Sequence, residues 1–368
     1  MTINMYGNSN WKYQNLKSIR VSGDFVIPAN RTNTIPARPG SWGMMAIMQF
    51  DFEAVTAPFR MQPGLRRLAA GAQHLSPNRI GARALDAKLA VLSRHASQSL
   101  MAAPDFDAAP AVMALARHAA VEHPAAFQFS GASMVTASHL GWSVHGVEVV
   151  GNGPPHIGDC LRALPPDWRL TGLLCLAFAE DFALLNGADS CIPWIAVCLP
   201  SHWAPAEKIG LPFAAVHAPV ADNQALLAAS AQLVRLVTAG ERWERFVWTI
   251  TPEPGLDNHP RRVSRQNWPD IESADDQALA LRAFFRCERQ TFIPLPELQQ
   301  AMFTIRVEVA PLSQVLAQPA QAQRLHDALQ SMSGAVLDYR GLRPARDRLL
   351  NWMQRCAGCA PSVLSPPS

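Results

Sequence analysis

The stretch MFTIRVEVA, residues 302–310, alternates apolar and polar side chains from Phe303 to Val309. A period of two predicts a β-strand with one buried face, because successive side chains point to opposite sides of a sheet. If residues 284–296, FFRCERQTFIPLP, are also extended, Arg286, Glu288 and Gln290 share one face and Arg289 lies on the other. Charged groups in such apolar runs constrain the fold, since an unpaired buried charge is very costly.

The remaining patterns favour an α+β fold, with helices at both ends around a twisted antiparallel sheet. Short apolar runs broken by Pro and Gly predict a meandering sheet over 170–220, and GNGPPHIG at 151–158 is expected to be a loop. Short strands are predicted within 125–160 and at 246–250. Helical spacing covers 78–95, 109–121, 224–238, 312–332 and 343–355.

Composition excludes several classes of protein. Charged residues make up 17% of the 368 residues and the hydrophobic set 49%, as in a globular chain. A net charge of +3 gives no basis for a nucleic-acid partner. No apolar window is long enough to span a membrane, and the polar start lacks a signal peptide, so a cytoplasmic protein is expected.

The seven cysteines do not predict a disulfide framework. Their number is odd, their spacing is irregular and the chain is long. Cys356 and Cys359 form a lone CxxC pair without the further ligands that structural zinc usually needs. A pair of thiols near a frayed C-terminus is therefore favoured over a metal or redox site.

The common catalytic motifs are absent: there is no GxSxG, HExxH, P-loop or Rossmann turn. If the protein handles electrons, they must come from a partner. His217, in FAAVHAPV, is expected to be buried, and a neutral imidazole there suits a soft metal or haem iron. The alternative is a core histidine that hydrogen-bonds a backbone carbonyl. His139, His145 and His202 are the next candidates for a ligand.

Glu180 and Asp181 interrupt an apolar run, LLCLAFAEDFALL. Neighbours on a strand face opposite sides, so one carboxylate is expected to face solvent or cap a turn. The other could enter a pocket, where desolvation would raise its pKa and suit it to bind a cationic amine or relay protons. A turn with both carboxylates exposed is an equal alternative.

Arg289 and Arg306 each lie within an apolar segment and need an anionic partner. Two such arginines could hold two carboxylates bidentately, as the two propionates of haem would require. Equally, they could pair with Glu288 or Glu308 of their own strands. Lys208, in APAEKIG, is expected to be solvated.

Taken in order, these segments resemble the haem-dependent oxidative N-demethylase family, of which the haem subunit of bacterial dimethylamine monooxygenase is the best-described type. The resemblance covers roughly residues 55–345. It rests on the order and spacing of several short motifs, none of which is specific alone: PFRMQPGLRRL (58–68), AEDFALL (179–185), PSHWAPAEKIGLPFAAVHAPV (200–220), RFVW (245–248), FRCERQTFIPLP (285–296), MFTIR (302–306) and YRGL (339–342).

The resemblance implies haem b in a PAS-like antiparallel sheet with flanking helices, and O₂ as co-substrate. It implies a small amine as substrate and electrons from a separate NADPH-linked flavin and iron–sulfur reductase. By position, His217 would be the proximal ligand, and Arg289 and Arg306 would meet propionates or substrate. Lys208 and Gln290 complete the expected cofactor-binding set. Glu180 and Asp181 would lie on the distal, amine-binding side.

The sequence also departs from the family pattern. Val247 stands where the family usually has Asn, and Phe292, Ile293 and Pro294 follow the ERQT motif where basic residues are usual. These changes motivate an alternative, biosynthetic N-oxidation or nitrogen–nitrogen bond formation, and a second one, a haem-binding PAS sensor without turnover.

The predicted organisation is an extension at 1–45, one haem-binding catalytic domain at 46–355 and a tail at 356–368. A homo- or hetero-oligomer is compatible with the sequence.

Overall fold

The structure is a computed structural model that describes residues 50–130, 133–264, 267–269 and 275–358. All of them belong to one unit, Ile47–Ser368. The predicted extension at 1–45 and most of the predicted tail, including Cys359, lie outside the described residues.

Two antiparallel sheets form the β-structure of the described residues. The strands are β1 (Arg66–Arg67), β2 (Leu100–Ala102), β3 (Phe127–Ser130), β4 (Met134–Ala137), β5 (Trp142–His145), β6 (Glu148–Gly151), β7 (Asp181–Asn186), β8 (Trp194–Ala196), β9 (Trp243–Thr251), β10 (Phe284–Leu295) and β11 (Gln300–Pro311). A seven-stranded sheet has the order β1-β9-β10-β11-β7-β8-β2, and a four-stranded sheet has the order β3-β4-β5-β6.

The helices lie between and after these strands, and together with the two antiparallel sheets they agree with an α+β fold. They are α1 (Arg83–Ser99), α2 (Ala109–Glu122), α3 (Pro155–Ala163), α4 (Arg169–Ala177), α5 (Phe213–His217), α6 (Gln224–Ala228), α7 (Ser230–Thr238), α8 (Asp276–Ala280), α9 (Leu312–Val315), α10 (Pro319–Gln330), α11 (Gly334–Tyr339) and α12 (Arg346–Gly358). None of the described helices is long and apolar enough to cross a membrane.

The long strand predicted at 302–310 is confirmed, and so is the extended segment that pairs with it. β10 pairs with β11 over its whole length, from Phe284 opposite Pro311 to Leu295 opposite Gln300, and β9 pairs along its other edge. The six cysteines in the described part of the chain are all free, as expected.

The prediction of strands throughout 170–220 is wrong for two segments. Residues 169–177 form α4 and residues 213–217 form α5. α4 is buried on nearly every side, so its apolar residues show no 3.6-residue period that would distinguish it from a buried strand. The prediction of a loop over 151–158 is wrong at its end, because Pro155 begins α3. A proline is tolerated at the first helical position, where its missing N–H costs no helical hydrogen bond.

Close packing between α3 and β5 leads to a first prediction. A Cβ atom at Gly158 would lie 2.3 Å from the indole ring of Trp142, which is buried. Alanine normally stabilises a helix relative to glycine by about 1 kcal/mol. We expect Gly158→Ala instead to lower the free energy of unfolding by about 1–3 kcal/mol through overpacking, as measured by denaturant titration.

Gly358, at the end of α12, is the matched control for this substitution. A Cβ there meets none of the described residues within 4 Å. Gly358→Ala should therefore leave stability unchanged or raise it. Equal stability of the two variants would contradict the packing described for Gly158.

Candidate functional site

The register of β9, β10 and β11 decides which polar side chains share a face of the large sheet. We call the side that carries Gln290 the front face and the side that carries Arg289 the back face. Gln290 lies opposite Arg245 of β9, whereas Arg289 lies opposite Arg306 of β11. Directly opposed residues of antiparallel strands share a face. Arg245 is therefore on the front face, and Arg306 is on the back.

His217 lies at the end of α5, on the front face. Phe213, at the start of that helix, packs in a small apolar cluster with Phe292 and Ala301, whose side chains share the front face with Gln290. The Nδ1 atom of His217 lies 2.8 Å from the carbonyl oxygen of Phe213. Because a carbonyl only accepts, Nδ1 carries the proton, and Nε2 has no hydrogen-bond partner among the described residues.

The electrostatic surroundings keep the His217 imidazole neutral. Burial lowers its pKa to about 4, and the positive charges of Arg245 and Lys208 act in the same direction. A neutral imidazole with Nδ1–H anchored to a carbonyl and a free Nε2 is the usual arrangement of a histidine that ligates a metal. The carbonyl hydrogen bond that one sequence interpretation of His217 expects is therefore present. The same bond orients the ring so that Nε2 stays available for the ligand role that the other interpretation predicts.

Lys208 holds α5 in place, although the sequence predicts a solvated side chain. Its Nζ atom donates to the carbonyl oxygen of Val216 at 2.9 Å, and burial lowers its pKa. Asn223 donates to the carbonyl oxygens of His217 and Ala218, at 3.2 and 2.8 Å. These contacts satisfy the last carbonyls of a short helix and fix the position of the imidazole.

Arg245 is the residue of this site that sequence reasoning missed. It lies on the front face, and its Nε atom is shielded from solvent and has no hydrogen-bond partner among the described residues. Burial lowers its pKa, against the charge of Glu288. Glu288 itself accepts from Gln290 at 2.7 Å and from Ser201. The signal in the sequence was the position of Arg245 in RFVW, but only the strand register shows that Arg245 lies on the same face as Gln290.

Arg289 and Arg306 lie on the back face, so the structure does not bring them to His217. Arg289 Nε lies 3.0 Å from a carboxylate oxygen of Glu244. Arg306 Nη2 lies 2.5 Å from Glu308. The alternative that the arginines pair with Glu288 or Glu308 is thus confirmed for Arg306, which pairs with Glu308. Arg289 instead pairs with Glu244 of β9.

The expectation that Glu180 or Asp181 faces solvent is wrong, because both side chains are buried. Asp181 begins β7, and its Oδ1 atom lies 3.0 Å from Nζ of Lys88, which is 0% exposed on α1. Its other oxygen accepts from the backbone N–H of Leu199 at 2.7 Å. Burial alone would lower the pKa of Lys88, but the Asp181 carboxylate holds that pKa above its usual value.

Glu180 has a different environment from its neighbour. Its Oε2 atom accepts from the backbone N–H of Ser76 at 2.8 Å, whereas Oε1 is buried without a hydrogen-bond partner among the described residues. Burial raises the pKa of Glu180, against the Ser76 hydrogen bond and the charge of Arg306. Since Arg306 also donates to the Ser76 hydroxyl at 2.9 Å, Glu180 belongs with the back face. The predicted site residues therefore fall into two groups, one on each face.

The three substitute histidines are less suited to ligate a metal than His217. Both ring nitrogens of His139 face carbonyl oxygens, at 2.8 and 3.1 Å. His202 Nε2 lies 2.7 Å from a carboxylate oxygen of Glu253. His145 is exposed on β5.

The fold is α+β, and its candidate site places a neutral histidine, anchored by a backbone carbonyl, beside an arginine that needs an anion. These are features of a protein that binds a metal or a haem. A family model described as "Haem-dependent oxidative N-demethylase, alpha subunit-like" matches residues 82–350, which is more than half of the chain. The chain belongs to this family.

The two adjacent carboxylates lead to a second prediction. Asp181→Asn keeps an acceptor for the N–H of Leu199 but leaves the buried Lys88 ammonium without its carboxylate. Removing one partner of a buried ion pair typically costs about 3–5 kcal/mol. We expect that loss in the free energy of unfolding, measured by denaturant titration at neutral pH.

Glu180→Gln is the matched control, because glutamine keeps the acceptor for Ser76 N–H and removes only a desolvated charge. It should change stability by less than about 1 kcal/mol. If Glu180→Gln were as destabilising as Asp181→Asn, the separate roles given to the two carboxylates would be wrong.

Proposed function

We propose that this chain binds haem b through Nε2 of His217 and uses O₂ to oxidise a small amine, with electrons from a separate reductase. The observation that carries the proposal is the His217 imidazole, which is neutral, anchored through Nδ1 and free at Nε2. The family match supports haem as the cofactor and an oxidative reaction. Haem would supply an iron that binds and activates O₂.

Arg245 is the residue we propose for the haem propionates. Its unpartnered, shielded Nε atom needs an anion, and a guanidinium can bind a carboxylate with two hydrogen bonds. Gln290 and Glu288 lie on the same face as Arg245 and would be the other polar residues that line the proposed site. Arg289 and Arg306, for which the resemblance implies this role, already hold carboxylates of their own sheet.

We propose that the large antiparallel sheet is the PAS-like core that the resemblance implies, with α5–α7 on the front face beside the cofactor. In this arrangement Lys208 positions α5 and does not itself contact haem. The description of the matched family as an alpha subunit supports the existence of partner proteins, among which we place the reductase.

We place Glu180 outside the amine site, because it lies on the back face, across the sheet from His217. Its unpartnered Oε1 atom and raised pKa suit it to hold a proton there. Asp181 is proposed only as a positioning residue, because both of its oxygens are already engaged.

The histidine assignment gives a third prediction. His217→Ala should remove the iron ligand and leave the fold intact. Among the described residues, the His217 side chain hydrogen-bonds only to a backbone carbonyl of its own helix. We expect haem affinity to fall at least about tenfold and the Soret band to be lost or shifted. The matched control is His156→Ala, because His156 is exposed on α3. An unchanged Soret band in His217→Ala would contradict the assignment.

The assignment of faces gives a fourth prediction. Arg245→Gln should weaken haem binding by about 1.5–3 kcal/mol, roughly tenfold or more in Kd, because a charge-assisted hydrogen bond is lost. Arg306→Gln, on the other face, should leave haem affinity unchanged. Haem titration followed by absorbance measures both variants. Equal weakening would show that the cofactor does not lie on the front face.

The reaction itself is tested with the haem-loaded full chain, a surrogate reductase and small methylamines. Formaldehyde release that depends on O₂ and on His217 is the expected result. Haem reduction and O₂ binding without any amine turnover would contradict the enzymatic proposal.

A further inference from the structure

Two histidines and a glutamate converge on the back side of the fold, away from His217. His118 and Glu122 occupy the last turns of α2, four residues apart and so on one face of the helix. His74 reaches them from the connection between β1 and α1. In the described parts of the chain, this is the one group of three His, Cys, Asp or Glu side chains whose ligand atoms lie within 4.8 Å of one another.

The three donor atoms have the spacing of one face of a metal tetrahedron. Nδ1 of His74 lies 3.1 Å from Nε2 of His118 and 3.2 Å from Oε1 of Glu122, and His118 Nε2 lies 3.6 Å from the same Oε1. A zinc ion bound at about 2.0–2.1 Å by tetrahedral ligands separates them by about 3.3 Å. The three atoms therefore need almost no movement to receive an ion between them.

The donor types and their accessibility also suit a divalent transition metal. Two imidazole nitrogens and one carboxylate oxygen form a ligand set that zinc uses with a fourth, open position. The side chain of His74 is 1% exposed and that of Glu122 9%, whereas that of His118 is 28% exposed. An ion could thus enter past His118 into a site that is otherwise closed.

Two features compete with a metal at this position. Arg242 approaches to 3.3 Å of both ring nitrogens of His74 and to 3.9 Å of Glu122 Oε1, so its charge opposes a cation. Its side chain is 39% exposed and can turn into solvent. Glu122 also accepts from the backbone N–H groups of His74 and Leu75, at 2.8 and 2.9 Å, and so supports this connection without any ion.

We propose that His74, His118 and Glu122 form a second metal site, of the zinc class, that fastens the connection before α1 to the end of α2. Ser76, two residues after His74, is the group that meets both Glu180 and Arg306. Gln73, one residue before His74, accepts from Arg289 at 3.0 Å. Metal binding would therefore rigidify the backbone that holds the back-face carboxylate and arginines.

The test is Zn²⁺ binding to the full chain, by elemental analysis after dialysis and by competition with a zinc-binding dye. His118→Ala removes the ligand whose side-chain polar and ring contacts are only with His74 and Glu122 among the described residues. Wild-type protein should retain stoichiometric zinc, and its thermal midpoint should rise on zinc addition. His118→Ala should bind at least about tenfold more weakly and show no such rise.

His156→Ala and His217→Ala are the controls, since neither residue touches this cluster, and both should bind zinc as wild-type protein does. If His217→Ala still binds zinc, the zinc site is independent of the proposed haem site. Failure of the haem proposal would then leave zinc binding intact. Failure of wild-type protein to bind zinc at micromolar concentration, or equal binding by His118→Ala, would overturn the proposal.

Arg242→Gln tests the competition directly. Loss of the neighbouring charge should tighten zinc binding several-fold, whereas weaker binding would contradict the arrangement described.

Discussion

The unbroken register of β9, β10 and β11 is the constraint on which the rest of the account depends. Because side chains alternate between faces, the side chains of two successive residues in a strand lie on opposite sides of the sheet. Gln290 and Arg289 are neighbours in sequence, yet one faces Arg245 and α5 while the other faces Arg306 and Ser76. The register thus separates a histidine site on the front face from a carboxylate–arginine cluster on the back face.

Much of the fold could be predicted from the sequence, because its strongest patterns are periodic. The alternation within 302–310 predicts a strand and the helical spacing at 109–121 predicts a helix, and these segments form β11 and α2. The predictions failed where periodicity carries no information. Residues 169–177 are buried on nearly every side as α4, and an apolar run of that length is equally compatible with a strand. Pro155 obscured the start of α3, although proline suits the first helical position.

The candidate site was harder to predict, because a buried charge is explained by a partner that is distant in sequence. Lys88 lies more than ninety residues before Asp181, and nothing in either segment links them, so the sequence could not show that both adjacent carboxylates are buried. His217 could be singled out from its apolar surroundings alone. Arg245 could not, because its importance depends on the face that the register gives it. Three-dimensional pairing, and not residue type, distinguishes an arginine that needs an anion from one that already has it.

The central claim is that the cofactor lies on the front face with its iron on His217. A crystal structure of the haem-loaded chain, with the iron located by anomalous scattering, tests it most directly. The expected result is an iron peak bonded to Nε2 of His217, with a propionate at Arg245. An iron peak on the back face, beside Arg289 and Arg306, would contradict it.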